Sequence, residues 1–152
     1  MQLFIVAVGK ARGSAEHRLA EAWLGRLPEG GNIHEIESKL PAGAKRTDDE
    51  GVRLLRAVPA GAALAILDPR GKDHSSEDLA ALIGAWRDSG YGSAAFAVGG
   101  AYGHAEHIRQ KALCTISFGR ATWPHLLCRA MLAEQLYRAS MILAGHPYHR
   151  GN

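Results

Sequence analysis

Short apolar runs alternate along this chain with amphipathic segments, and that alternation constrains the fold more than any other feature. Residues 3–8 (Leu-Phe-Ile-Val-Ala-Val) are rich in β-formers and bounded by Gly9, which predicts a buried strand. In residues 14–27, Leu19, Ala20, Trp23, Leu24 and Leu27 recur at helical spacing after Ser14, a fitting N-cap, and Pro28, Gly30 and Gly31 end the segment. A second strand is expected near 32–37, around Ile33 and Ile36, and residues 38–46 read as a mobile loop. Thr47 and Glu50 have capping-box spacing, with Leu54, Leu55 and Val58 following at helical spacing before Pro59. Residues 62–67 form a third strand, stopped by Asp68-Pro69-Arg70-Gly71, and a helix capped by Ser75 or Ser76 runs to about Asp88. A strand at 93–98 ends at Gly99-Gly100, then a short helix near 104–112 and a strand near 113–117.

The longest element begins at Pro124, which suits a first helical turn, and stops at Gly145. Leu126, Leu127, Met131, Leu132, Leu136, Met141, Ile142 and Leu143 occupy nearly every face of it. Such a helix must be covered on several sides, either within the monomer or by a second subunit. The whole pattern predicts an α/β fold with a mainly parallel sheet flanked by helices. At 152 residues the chain is expected to be one domain, 1–152.

Composition narrows the function. Hydrophobic residues make up 47% and charged residues 22%, which excludes disordered and low-complexity classes. No stretch approaches the roughly 18 apolar residues of a membrane span, and with no basic segment before the first apolar run and no Ala-x-Ala after it a secretory signal is not expected. Cys114 and Cys128 cannot build a disulfide framework, so a cytoplasmic location is expected. Residues 1–100 carry 12 basic and 13 acidic side chains, whereas residues 101–152 carry 6 basic and 2 acidic. The second segment also holds five of the eight histidines. That asymmetry fits either an anionic partner, with RNA a candidate, or a solvated basic surface.

In open parallel sheets, ligands bind beyond the carboxyl ends of the strands. Three segments lie at such ends: residues 67–72, 98–103 and 118–123. Their glycines let a backbone approach a ligand closely. Gly99-Gly100-x-x-Gly103 is not a dinucleotide fingerprint, and no phosphate loop is present, so a nucleoside-type cofactor held by backbone contacts is the better reading. His146-Pro147-Tyr148-His149 lacks the three or four ligands of a zinc site, and no metal is expected. This histidine pair reads as a contact to RNA or substrate, or as a disordered end. Cys114 and Cys128 read as core thiols.

Several motifs together then become specific: Leu3 to Lys10, Leu67-Asp68-Pro69-Arg70-Gly71-Lys72, Ser75-Ser76-Glu77, the Gly99-Gly100 turn, Ser117-Phe118, Pro124-His125, Arg129, Ala133-Glu134-Gln135-Leu136-Tyr137-Arg138-Ala139 and His146-Pro147-Tyr148-His149. In this order the chain resembles, over nearly its full length, the RlmH (YbeA-like) family of SPOUT-class 23S rRNA pseudouridine N3-methyltransferases. The resemblance implies an α/β sheet whose C-terminal part forms a deep trefoil knot. It also implies a homodimer and transfer of a methyl group from S-adenosylmethionine to N3 of a pseudouridine in the assembled ribosome. The cofactor positions it implies are Leu67, Gly99, Gly100, Phe118, Gly119, Arg120, Ala121, Thr122 and Trp123.

A sulfonium is an activated methyl donor, so positioning and removal of the N3 proton remain for the protein. Tyr148 and His149 are expected to handle that proton or orient the base. Arg129 is expected to contact substrate, and Arg138 to pair with Glu134 at i,i+4. The chain departs from the family at Ala101 and Tyr102, where an acid or amide is frequent, and at Arg120 and Trp123. Trp123 is expected to stack near the adenine or to fill the knot core. These departures motivate an alternative, a non-catalytic RNA- or ribosome-binding module with a SPOUT-like fold. A small-molecule nucleotide enzyme unrelated to RNA fits the basic C-terminal third less well.

Overall fold

The chain's strands owe their continuous apolar character to burial on both faces, as parallel sheets require. The computed structural model describes residues 1–151. In β1 (Gln2–Val8), Leu3, Ile5 and Ala7 pack into one core and Val6 and Val8 into another on the opposite side. β2 (Gly31–Ile36), β3 (Ala63–Asp73), β4 (Ser93–Val98) and β5 (Cys114–Ser117) join it in a five-stranded sheet ordered β2-β1-β4-β3-β5. Every pairing in the sheet is parallel, so the expected mainly parallel sheet is observed.

Helices cover both faces. On one face lie α1 (Ala15–Leu24), α3 (Ser76–Asp88) and α5 (His125–Leu143), whose Leu24, Ile83, Leu132 and Leu136 pack against Ile5 and Phe96. On the other, Leu54 of α2 (Ala44–Ala57) and Ile108 of α4 (Glu106–Lys111) pack against Val6, Leu64 and Ile66. α5 is therefore covered partly from within: Leu132, Ala133, Leu136 and Ala139 are fully buried, while Leu127 and Met131 remain half-exposed. No helix among the described residues is long and apolar enough to cross a membrane.

Two expectations need correction. α2 begins at Ala44, inside the segment expected to be a mobile loop, and its N-cap is Gly43 without a side-chain cap. Thr47 and Glu50 form no capping box, because Glu50 accepts from Arg46 Nε at 2.9 Å one turn earlier. The capping box belongs to α3, where Ser75 and Asp78 exchange side-chain-to-backbone bonds at 3.0 Å in both directions.

The second correction concerns β3. Asp68-Pro69-Arg70-Gly71 does not stop the strand. Leu67 and Lys72 both pair with Ile116 of β5, so residues 68–71 bulge out and the strand then resumes to Asp73. Gly71 lies so close to β5 that a Cβ there would sit 2.8 Å from backbone atoms of Thr115 and Ile116. Gly71→Ala is therefore expected to destabilise the protein by about 1–3 kcal/mol, a Tm loss of several degrees. Gly92→Ala, where a Cβ meets nothing within 4 Å, serves as the control and should be near neutral in the same thermal melt.

Candidate active site

Sheet order explains why three distant turns meet. β4, β3 and β5 are neighbours, so the segments leaving Val98, Leu67 and Ser117 emerge side by side. They enclose a cavity of about 540 Å³, which α5 closes with His125 and Cys128. Of the positions expected to hold a cofactor, Leu67, Gly99, Gly100, Phe118, Gly119, Ala121, Thr122 and Trp123 all line it. Arg120 is the exception: it is exposed and not part of the wall.

The 99–103 turn holds its shape through its own backbone. Gly103 N donates to Gly100 O at 3.0 Å, and Gly103 takes φ +75°. A Cβ at Gly99 would meet the Gly103 carbonyl at 3.0 Å. The turn thus forms without an acid or amide, and Tyr102 lines the cavity while remaining 72% exposed. The 118–123 loop is tied at several points. Ser117 Oγ donates to Gly119 O at 3.0 Å, Gly119 N to Asp73 Oδ1 at 3.2 Å, and Trp123 Nε1 to Phe118 O at 3.0 Å. Trp123 is 41% exposed beside the cavity, which rules out the expected alternative of a core filler. Cys114 and Cys128 are half-buried rather than core, and burial raises both thiols above their usual range.

Asp68 and Arg109 also line the cavity, and the sequence reading did not single out either as a site residue. Asp68 is 5% exposed. Burial would raise its carboxyl, but hydrogen bonds from Arg70 and Arg109 outweigh that and hold it at about 2. Arg70 donates to Oδ1 from its backbone N at 2.9 Å and from Nε at 3.1 Å, while Arg109 Nη2 donates to Oδ2. His104 is buried, and its Nε2 faces the Leu67 carbonyl at 3.0 Å. A carbonyl only accepts, so Nε2 carries the proton. Burial and then the Arg109 charge push this imidazole down to about 4, so it is neutral.

The C-terminal residues sit elsewhere. Tyr148 and His149, in a 3₁₀ helix over Pro147–Gly151, do not line the cavity of their own chain. Tyr148 packs against Trp23 and Tyr137, with the Arg138 guanidinium 4.8 Å from its ring centre. Its hydroxyl donates to Glu134 Oε1 at 3.0 Å. Partial burial and the Glu134 carboxylate raise this phenol, which keeps it a donor rather than a base. His149 Nε2 lies 2.6 Å from Glu77 Oε1. The expected pairing of Arg138 with Glu134 is present, at 2.7 Å.

Arg129 overturns its expected role as a substrate contact. It is 1% exposed, with Nη1 on Glu35 Oε1 at 2.8 Å and Nη2 on the carbonyls of Gly9, at 2.9 Å, and Val8. It bolts α5 to the end of β1. Burial lowers its pKa and the Glu35 charge offsets part of that.

The sequence profile of a family described as "Predicted SPOUT methyltransferase" matches residues 1–149. The chain is 48% identical over 151 residues to a ribosomal RNA large subunit methyltransferase H of Rhodospirillum centenum, covering 99% of each chain. A protein of the same name from Paramagnetospirillum magneticum is 47% identical over 151 residues, again covering 99% of each. Among solved structures, the SpoU methyltransferase AviRb of Streptomyces viridochromogenes, crystallised with AdoMet, aligns with 95% of this chain and 61% of its own, at 12% identity and a TM-score of 0.48.

Two stability measurements test this site. Replacing Arg129 by Met leaves Glu35 only Ala11 N and the nearby His17, frees the Val8 and Gly9 carbonyls of their donor, and should cost roughly 3–5 kcal/mol in urea unfolding. The neutral His104 gives a pH signature. Its ordinary value is 6.5 and its folded value about 4, so between them the unfolded chain binds the extra proton. Stability should therefore fall as pH drops from 6.5 to 4, by at most roughly 3 kcal/mol. His104→Gln, which keeps an N–H donor, should flatten that slope. A slope unaltered in this variant would assign the loss to other groups.

Proposed function

Because the chain belongs to the SPOUT methyltransferase family, we propose that it transfers a methyl group from S-adenosylmethionine to N3 of a pseudouridine in 23S rRNA of the assembled ribosome. It acts as a cytoplasmic homodimer in this reading. The carrying observation is the convergence of three turns on one cavity of about 540 Å³, within the size range of small-molecule sites. Relatives named for a large-subunit rRNA methyltransferase, matching end to end, support the substrate class.

The residues present suit the cofactor. The wall is mostly backbone, glycine and apolar side chain, which fits a nucleoside held by N–H and C=O groups. Leu67, Gly99, Gly100 and the 118–123 loop would hold it. When bound, it supplies a methyl group already activated on a sulfonium. Everything else is positioning and proton handling by the chain. A Cβ at Gly100 would meet Val8 Cγ1 at 3.1 Å, so glycine lets this turn lie against β1 and keeps the wall low.

His149 is assigned to the N3 proton and Tyr148, a donor, to the orientation of the base. They lie away from their own cavity, so we read the site as composite, with the C-terminal segment of one subunit serving the cavity of its partner. The half-exposed Leu127 and Met131 on α5 would be covered by that partner. We also read the 68–71 bulge, pressed onto β5, as part of the trefoil threading. Arg129 has no role at the reacting atoms in this scheme. No observation favours a non-catalytic module: the 99–103 turn closes without an acid, and Arg120 stays off the wall.

Purified protein, ribosomes lacking the modification and labelled donor test this assignment. His149→Ala should bind S-adenosylmethionine near normally and lose about 10²-fold or more in methylation rate. Equal methylation by that variant would remove His149 from the chemistry. Full methylation of the pseudouridine in a strain deleted for the gene would sink the assignment itself.

A further inference from the structure

Four hydrogen-bonding groups around the cavity form a closed circuit. His104 Nε2 donates to Leu67 O at 3.0 Å, and Arg109 Nε donates to His104 O at 3.2 Å. Arg109 Nη2 then donates to the carboxylate of Asp68, which is bonded to Leu67 along the chain. The circuit joins the bulge within β3 to the turn after β4, with α4 as its base. α4 is itself fixed, because Ile108 is fully buried. The 99–103 turn packs on the circuit at two points: a Cβ at Gly103 would lie 3.7 Å from Arg109 Nη2, and one at Gly99 would lie 3.3 Å from His104 Cε1.

We propose that Arg109 and His104 are positioning residues, which lock the 68–71 bulge to the 99–103 turn and so set the width of the methyl-donor cavity before the donor arrives. The proposal rests on the methyltransferase reading above. Neither turn has a helix or ladder of its own at these positions. Residues 68–71 leave the β3–β5 register, and 99–103 are held by one backbone bond and an isolated bridge. A site that must order two loops on binding loses affinity to that ordering, whereas one already ordered does not. Only arginine closes the circuit, because its planar fork reaches a carbonyl with Nε and a carboxylate with Nη2 together. Lysine keeps the charge but supplies a single nitrogen.

The decisive variants are Arg109→Lys and the double variant Asp68→Asn/Arg109→Gln. The double variant leaves no stranded buried charge, so it tests the circuit without unfolding the chain. Calorimetric titration with S-adenosylmethionine should show each binding about tenfold or more weakly, the equivalent of losing one ordered loop contact or two. At saturating donor, kcat on ribosomes should fall less than threefold and the KM for ribosomes should hold. A purely structural role would instead lower Tm without this split. Amide exchange at 99–103 in the free protein should quicken in both variants. His104→Gln should bind nearly as wild type and His104→Leu as poorly as Arg109→Lys. A folded double variant with wild-type donor affinity, or one losing kcat alone, overturns the proposal. Wild-type protein that takes up no donor overturns the functional reading, and this proposal with it.

Discussion

The close approach of residues 68–71 to β5 is the constraint on which the cavity depends. A strand that pairs with Ile116 twice must eject four residues between the two pairings, and those residues become a wall. The ejection is possible only because Gly71 has no side chain to strike the backbone of Thr115 and Ile116. It carries Asp68 with it, and a buried carboxylate needs cations. Arg70 supplies one locally and Arg109 one from across the cavity. One steric fact about a glycine thus leads to a charge arrangement, and the charge arrangement ties two turns together.

Much of the fold was legible because strand and helix periods differ, and the chain follows them faithfully. All five strands were expected close to where they lie, and α5 runs between the proline and glycine that mark its ends. The two misreadings have local causes. Gly43 caps α2 through backbone alone, while Thr47, which looked like a cap, is already helical, its hydroxyl on Gly43 O at 3.4 Å. Asp68-Pro69-Arg70-Gly71 carries real turn chemistry, with Asp68 accepting from Arg70 N, yet the sheet recaptures the strand beyond it. Tertiary pairing overrode a correct local signal.

The site divides in the same way. Its glycine turns were readable because unusual backbone demands leave glycine in the sequence. Asp68 and Arg109 were not, because they stand 41 residues apart and nothing local marks a carboxylate and a guanidinium as partners. Arg129 shows the converse. A buried arginine is spelled like a surface one, and only packing reveals that it holds two carbonyls and Glu35. The Trp23, Tyr137 and Tyr148 rings show how the C-terminal residues, written as a polar tail, acquire an aromatic seat on α1 and α5.

The cavity draws its lining from Leu67 through to Cys128. A chain emerging from its own ribosome at roughly 5–20 residues per second therefore has most of its sheet before it has anywhere to put a small molecule. β1 and β2 can pair early, but β3 must wait for β4, which lies between it and β1, and the hollow appears only when α5 starts to settle. Nascent chains stalled before that point would be folded in part and empty of chemistry, so ligand capture waits for α5 rather than for the sheet.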